Sequence, residues 1–313
     1  MQGRLFRQIH PIPYDKSYLR GLDVVNTRTL EEIVVEIINK GGSSLKQLVQ
    51  KDFGIIKRFN WGEKNLFITD SIIEGKKDAE VFVNENQTMI LIWDKGHCIY
   101  INGDEETTNE LVRVLHFLTD HLLDKEVRSQ LRVLKIYFKE ADESVILNSL
   151  KDFNPRILNR ILYKHNLNKP FPQIFLETDI VIKEINREAI LRKSPGSHQS
   201  MIEEIVNMWG SEESFLLNGF GNYATNEEGN IVSWCTSEYN SNSHCGIGIE
   251  SITEYQGKGI ATANTIHFLI KCLEKNIIPY WDCWKSNIPS IRVAEKTGFE
   301  KQLEYKVILI NLI

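Results

Sequence analysis

The chain has 313 residues, of which 42% are hydrophobic, and its formal net charge is −5. This length allows two domains that each have a core. Charges of both signs are interspersed, so there is no basic stripe of the kind that binds nucleic acid. Apolar runs are shorter than the roughly 18 residues of a membrane helix, and the N-terminus lacks the apolar segment of a signal peptide. The composition predicts a soluble cytoplasmic protein with no nucleic-acid or membrane partner.

The cysteines are odd in number and show no C-x-x-C spacing. They are Cys98, Cys235, Cys245, Cys272 and Cys283. A secreted disulfide framework would use paired cysteines, and a structural zinc site would use closely spaced ones. We expect free, buried thiols in a reducing compartment and no metal site. His244 beside Cys245 is an isolated pair in a polar turn, which does not change this prediction.

Residues 1–65 are predicted to form a helical extension. Thr29 and Glu32 have the spacing of a capping box, apolar residues follow at helical intervals, and Gly41-Gly42 ends the helix. A second helix is expected from Leu45 to Phe53. No catalytic pattern is present in this segment, so packing is its predicted role.

From about residue 66 the pattern changes to strands, which indicates a domain over residues 66–168. The runs "AEVFVN", "TMILIWD" and "HCIYING" are followed by a long helix, the strand "LRVLKIYF", a short helix and a closing strand "RILNRILYKH". Two prolines in "NKPFPQ", residues 168–173, then interrupt any regular element and mark a domain boundary.

The same order recurs over residues 169–313. The strands "FGNYAT", "NIVSWCTSEY" and "CGIGIESI" precede a helix from Ala261 to Leu273, the strand "IIPYWDCW", a short helix ending at Gly298 and final strands. Both parts therefore run hairpin, strand, long helix, strand, short helix, strand. The sequence predicts an internal repeat of domain size.

The two repeats differ where the third strand meets the long helix. The second repeat has Gln256-Gly257-Lys258-Gly259, in which bare amides at a helix N-terminus, a lysine and a polar side chain favour a phosphate. Glycine suits this position because a Cβ would obstruct the phosphate. The first repeat has three acidic residues, 104–106, which would repel a diphosphate.

Two other nucleotide loops fit less well. A Walker loop needs a glycine where Ile252 stands and a serine or threonine where Gly259 stands. The dinucleotide fingerprint G-x-G-x-x-G matches Gly257 and Gly259 but meets Thr262 at its third glycine. Only about fifty residues follow the loop, too few for the remaining units of a doubly wound sheet.

The run Gln256-x-x-Gly259-x-Ala261 resembles Q/R-x-x-G-x-G/A, the pyrophosphate loop of the GNAT acyltransferase superfamily. In that family the loop follows a bulged fourth strand, and a later helix has N-x-x-[SA] followed by E-K-x-G-F. Here Ile247 and Ile249 alternate along the strand, and Ile252 falls out of this alternation, as one inserted residue would require. Asn287, Ser290 and "AEKTGF" then match the later helix. The resemblance is specific over residues 215–300 and architectural over the first repeat.

Several segments are similar to the zwittermicin A resistance acetyltransferase subfamily. They are "NGFG", "IVSWC", "IGIES", "YQGKGIAT" and "YWDCW" in the second repeat and "ILIWDKGHCIYINGD" in the first. The resemblance implies an α+β protein with tandem GNAT-like folds, mixed and mostly antiparallel sheets flanked by helices, and an inactive first copy. It also implies acetyl-CoA as co-substrate and a small amine, in that subfamily an antibiotic, as acceptor.

The resemblance places the acetyl-CoA contacts around the loop. It assigns backbone N–H groups at Ser251 and Ile252 to the pantetheine and thioester, and side-chain contacts to Asn287 and Ser290. The residues expected at the pyrophosphate are Gln256, Gly257, Lys258, Gly259, Ile260, Ala261 and Thr262. Asn287 could equally be an ordinary helix N-cap, and the two roles are compatible.

The attacking amine must be neutral, which calls for a carboxylate base. Glu250 is the first candidate because it alternates with Ile247 and Ile249 and points to the opposite face, and Glu238 is the second. A solvated strand carboxylate is the alternative interpretation of Glu250. Asp282 is interpreted as structural or substrate-binding.

One position departs from the family. Many GNAT enzymes have a tyrosine five residues before the phenylalanine of G-F, as an acid for the leaving thiolate, and this chain has Ala294. Ser290 and Cys283 are the nearest replacements. The departure keeps two alternatives open: a catalytically silent CoA-binding or regulatory module, and a scaffold that uses the first repeat.

Overall fold

A computed structural model describes residues 45–104, 108–123, 131–174, 176, 180–192 and 197–312. The helix predicted from Thr29 lies outside these residues. The described part is a single mixed sheet with helices on both faces, which confirms the predicted α+β class and its tandem arrangement.

The described residues of the first repeat form six strands and three α-helices. The strands are β1 (Leu45–Gln47), β2 (Glu80–Asn84), β3 (Met89–Trp93), β4 (Cys98–Gly103), β5 (Val133–Tyr137) and β6 (Arg156–His165). The helices are α1 (Glu63–Ile73), α2 (Thr108–Phe117, continued by a π-turn to Leu122) and α3 (Glu143–Ser149), and a 3-10 helix covers Gln50–Arg58.

Two predictions for the start of this repeat were wrong. Leu45–Gln47 forms an edge strand on β2, and the segment after residue 63 is the helix α1. Helical periodicity was hidden in α1 because it is buried on several sides, including the polar positions Asn65, Thr69 and Ser71.

The second repeat contains the other six strands and five α-helices. The strands are β7 (Val181–Glu184), β8 (Gly221–Thr225), β9 (Ile231–Glu238), β10 (His244–Ser251), β11 (Ile278–Trp284) and β12 (Phe299–Asn311). The helices are α4 (Arg187–Leu191), α5 (Ser197–Trp209), α6 (Glu212–Asn218), α7 (Ile260–Lys275) and α8 (Ile288–Lys296). The predicted final strands are one long strand with an irregularity between Lys301 and Leu303.

All twelve strands form one sheet in the order β1-β2-β3-β4-β5-β12-β6-β11-β10-β9-β8-β7. The closing strand of each repeat pairs with the other repeat: β12 lies on β5, and β6 lies on β11. The two closing strands also pair with each other over ten residue pairs. The repeats are therefore joined by exchanged strands rather than by a linker alone.

Each repeat has one short parallel contact between strands. In the first repeat β4 pairs with β5 over Cys98–Tyr100, and in the second β10 pairs with β11 over His244–Gly246. Beyond these contacts the strands of each pair separate. The predicted bulge in β10 is absent, because its register with β9 is regular from Gly246 to Ser251. Ile252 changes phase simply because the strand ends there.

Helices cover both faces of the second repeat. Cys235 of β9 packs in the cluster under α7, whereas its neighbour Trp234 packs in the cluster under α5. Successive side chains of a strand point to opposite faces, so α7 and α5 lie on opposite faces of the sheet. Within the described ranges, no helix is long and apolar enough to cross a membrane.

Candidate active site

The gap between β10 and β11 is the centre of the candidate site. Their parallel pairing stops at Gly246 and Tyr280, after which β11 continues along β6 as far as Trp284. The carboxyl ends of both strands therefore lie at one edge, where they carry the glycine loop and the start of α8. The sequence placed its predicted donor contacts at this edge.

The backbone of β10 determines which amides face the gap. Ile252 N–H donates to the carbonyl of Val232 on β9 at 3.0 Å, so its predicted contact with the thioester is wrong. Backbone direction alternates in a strand, so the amides of Ile249 and Ser251 point away from β9 and into the gap. Ser251 keeps its predicted position, and Ile249 was missed because its side chain belongs to the core.

The glycine loop turns sharply from β10 into α7. Gly257 and Gly259 have φ values of +78° and +79°, in the left-handed region that favours glycine. No described atom lies within 4 Å of the position a Cβ would take at Gly257, and only Leu176 is at 4.0 Å from that at Gly259. The outer side of the loop is therefore open to a ligand.

The start of α7 presents amides to this open side. Gly259 is the N-cap of α7 and has no side chain with which to cap the helix. The first amide that donates a hydrogen bond within the helix is that of Ala263, which lies 3.0 Å from the Gly259 carbonyl. The amides of Ile260, Ala261 and Thr262 therefore have no acceptor within the helix. The side chains of Ile260 and Thr262 are buried, so both can contact a ligand only through the backbone. This geometry fits a diphosphate.

Two side chains of the loop have partners in the protein. Gln256 Nε2 donates to the carbonyl of Ser251 at 3.1 Å and so braces the loop against the end of β10. Lys258 Nζ lies 4.6 Å from the centroid of the Tyr255 ring. Gln256 was predicted to donate to phosphate, whereas its main contact is internal.

The side chains after β11 are also engaged. Asn287 caps α8, because its Oδ1 accepts a hydrogen bond from Ser290 N–H at 3.2 Å. Ser290 Oγ accepts one from Trp281 Nε1 at 3.0 Å. Ala294 is fully buried, and burial raises the pKa of the Cys283 thiol to about 11. The N-cap interpretation of Asn287 is thus confirmed.

The opposite face of β10 carries the carboxylates. Glu250 and Gly248 alternate with the core residues Ile247 and Ile249, and Glu250 lies directly across from Trp234 on β9. A Cβ on Gly248 would lie 2.5 Å from Glu238 Oε1 and 3.3 Å from Glu204 Oε1. The carboxyl groups of Glu238 and Glu204 therefore both approach Gly248, and burial raises the pKa of Glu238.

Glu204, on α5, was missed by sequence reasoning. Its Oε2 accepts a hydrogen bond from Trp234 Nε1 at 2.8 Å. Burial, together with the nearby charge of Glu250, raises the pKa of Glu204 from 4.5 to about 8. A signal was present: Glu204 is three residues from Met201 and four from Met208, on the apolar face of α5.

The remaining candidates are structural. Asp282 accepts from Arg160 Nε at 3.0 Å and from Tyr305 Oη at 2.6 Å, which joins β6, β11 and β12. All five cysteines are free and buried, as predicted. His244 faces Asp70 at 3.3 Å. Among the described residues, no group of three or more His, Cys, Asp or Glu is arranged to hold a metal ion.

A family model described as GNAT acetyltransferase matches residues 58–308, which is more than half of the chain. The chain belongs to the GNAT acetyltransferase family. A protein of Bacillus subtilis (strain 168), named "Uncharacterized N-acetyltransferase YdfB", is 26% identical over 268 residues and covers 85% of this chain and 98% of its own length. The GNAT match therefore includes both repeats.

Solved structures share the fold of this GNAT chain at low identity. A GCN5-related N-acetyltransferase-like protein from Streptococcus suis has a TM-score of 0.59 and 18% identity, covering 82% of this chain and 98% of its own. A tandem GNAT protein from the clavulanic acid biosynthesis pathway has a TM-score of 0.52 and 10% identity, with coverages of 86% and 99%. The likeness in fold extends over nearly the whole of each neighbour.

Proposed function

We propose that the protein is an N-acetyltransferase that moves an acetyl group from acetyl-CoA to the amine of a small acceptor, with the chemistry in the second repeat. One observation carries this proposal. Amides without an acceptor in the helix at the start of α7 and a group of carboxyl groups lie on opposite faces of the sheet, beside the gap where β10 and β11 stop pairing.

The donor is held by the loop and by β10. The diphosphate would lie on the amides of Gly257 to Thr262, where the positive end of the α7 dipole stabilises it. The pantetheine arm would run along the amides of Ile249 and Ser251 in the gap, with Asn287 and Ser290 at the start of α8. An amide aimed at the carbonyl oxygen contributes about 3–4 kcal/mol to the acceleration of acyl transfer.

Glu250 is the proposed base. Acetyl-CoA supplies a thioester carbon that an amine nitrogen can attack. Glu250 accepts the proton that the nitrogen loses while the new C–N bond forms and the C–S bond breaks, and the sulfur leaves as thiolate. Glu238, whose carboxyl group approaches Gly248 on the same face, is the second candidate for the base.

Two finer proposals come from the sequence. The likeness to the zwittermicin A resistance subfamily suggests an amine-containing antibiotic as acceptor. A division into residues 1–65, 66–168 and 169–313 also stands as a proposal, although β6 and β12 cross the boundary at residue 168 in their pairing.

A thioester-consumption assay with a panel of small amines tests the function. We expect acetyl-CoA to be consumed only when an accepted amine is present, with the acetylated amine identified by mass spectrometry. Tight CoA binding without consumption over the whole panel would favour a silent CoA-binding module, which Ala294 suggests. Absence of CoA binding in calorimetry would contradict both alternatives.

A further inference from the structure

Glu204 lies where α5 crosses the carboxylate face of β10. One of its oxygens, Oε2, is fixed by Trp234 Nε1 at 2.8 Å, and the other, Oε1, points toward Gly248. Glu250 lies close enough to Glu204 for its charge to raise the pKa of the Glu204 carboxyl. Two adjacent carboxyl groups can share a hydrogen bond only when one of them holds the proton.

The surroundings decide which of the two holds it. Burial penalises the charged form of Glu204 most strongly, and the charged groups that act on it are Glu250 on β10 and Glu238 on β9. Both are acidic, and within the described residues no lysine or arginine forms an ion pair with Glu204. The proton therefore belongs to Glu204 at neutral pH.

A further polar group faces the same point. Thr236 is only 4% exposed, and its hydroxyl is 3.2 Å from the position of a Cβ on Gly248. Several polar groups therefore meet at Gly248, where they leave no room for a side chain. Such a convergence of polar groups is typical of a site that binds a polar ligand.

We infer that Glu204 is a positioning residue, a neutral carboxylic acid that accepts from Trp234 and donates its proton to the carboxylate of Glu250. The inference rests on the proposed function, since it assigns Glu204 a role through Glu250. Trp234 and Glu250 are opposite each other across β9 and β10, so one acid group links both.

The test compares Glu204→Gln with Glu204→Leu. A glutamine amide accepts from Trp234 and donates to Glu250, so Glu204→Gln should keep kcat within about threefold of the parent. Leucine does neither, so Glu204→Leu should lower kcat by about 10- to 100-fold with the KM for acetyl-CoA unchanged. Glu203→Gln is the control on the same helix, because Glu203 contacts only Gln199 at 3.2 Å on the surface.

A second measurement does not depend on activity. In side-chain carbon-13 NMR of the glutamates, the unliganded parent should show a carboxyl that titrates near pH 8 and is absent from Glu204→Gln. Glu250→Gln should lower the pKa of that carboxyl, because it removes the adjacent like charge. Glu203→Gln should leave it unchanged.

The raised pKa of Glu204 also predicts how the thermal stability of the protein changes with pH. The pKa of Glu204 is higher in the folded chain, so its contribution to stability is fully present below the unfolded value and is lost as the pH rises through the folded value. Between pH 5 and pH 9, roughly, the Tm of the parent should fall more than that of Glu204→Gln.

The outcomes separate the two proposals. A parent that is inactive on every amine but shows the titrating carboxyl would contradict the proposed function and leave the hydrogen-bonded pair established. An active parent whose Glu204→Leu variant matches it in kcat, or in which Glu204→Gln removes no such carboxyl, would overturn the inference about Glu204.

Discussion

The two repeats have the same strand and helix order but fill their gaps differently. When the two repeats are aligned on their parallel strand pairs, β4–β5 and β10–β11, Tyr100 is equivalent to Gly246 and Asn102 is equivalent to Gly248. In the first repeat Tyr100 stacks on Tyr137 at 4.7 Å, and Asn102 Nδ2 donates to the carbonyl of Asn60 at 2.8 Å. In the second repeat the strand itself has no side chain at these two positions, and Phe67 approaches Gly246 while Glu238 and Glu204 approach Gly248.

The gap of the first repeat is also closed by two lysines. Lys139 Nζ donates to the carbonyl of Gly103, and Lys64 Nζ donates to that of Phe138 at 2.8 Å. One repeat has become a packing partner, and the other has kept the exposed backbone that a ligand needs.

The largest expected effect is that of Gly259→Glu. It places a carboxylate among the α7 amides and a side chain at φ +79°, so acetyl-CoA binding in calorimetry should fall by at least about 100-fold. The matched control is Gly62→Glu at the N-cap of α1, where φ is +62° and no described atom is within 4 Å of a Cβ. Binding that survives Gly259→Glu would mean that the loop does not hold the diphosphate.

The next effect is that of Glu250→Gln. Turnover at neutral pH should fall by about 10²–10⁴, with unchanged acetyl-CoA affinity, because a general base is lost. The deficit should shrink at high pH, where more of the acceptor amine is already neutral. Asp104→Asn, at the equivalent position of the first repeat, should leave turnover as it is. A deficit of the same size at every pH would assign Glu250 to acceptor binding or structure.

Gly248→Ala makes the second repeat more like the first. Its methyl group would lie 2.5 Å from Glu238 Oε1, so the carboxylates must move. We expect kcat/KM for the amine to fall by about 10-fold or more while acetyl-CoA affinity is kept. Asn102→Gly, the converse change, should lower Tm without changing kcat/KM. Equal kinetics in Gly248→Ala and the parent would show that the carboxylate face is not the acceptor side.

The exchanged strands should make both repeats unfold together. Leu162 of β6 is fully buried beside Tyr280 and Tyr305, so Leu162→Ala should cost about 2–5 kcal/mol of unfolding free energy. Fluorescence and circular dichroism should give one coincident transition in denaturant. Two separate transitions would show that the repeats are independent despite their shared sheet.

The sequence predicted this fold well where local patterns are strong. Nearly all strands after residue 79 and the helices α2, α3, α7 and α8 were predicted, because alternation, helical spacing and prolines mark them. The strand exchange between β6 and β12 was not predictable, since pairing partners are set by tertiary packing rather than by local pattern.

Only the part of the candidate site that has a local sequence pattern was predicted. Gly257 and Gly259 have a local signature, whereas the direction of an amide such as that of Ile252 depends on its partner Val232 across the sheet. Glu204 is distant in sequence from Glu250 and meets it only because α5 packs on β9. Residues brought together by long-range packing leave only a weak trace, here a carboxylate on an apolar helix face.

The smallest expected effect concerns the missing acid at Ala294. Burial raises the pKa of the Cys283 thiol to about 11, so this thiol is a weaker acid than the thiol that leaves, and the alcohol of Ser290 is weaker still. The leaving thiolate has a pKa of roughly 8.5, like a free cysteine, and needs no dedicated acid near neutral pH. Cys283→Ala and Ser290→Ala should therefore keep kcat within about threefold of the parent, with the same weak alkaline decline. A steep alkaline limb in the parent that vanishes in either variant would identify that residue as the acid, and the second repeat would then have replaced the family's tyrosine rather than dispensed with it.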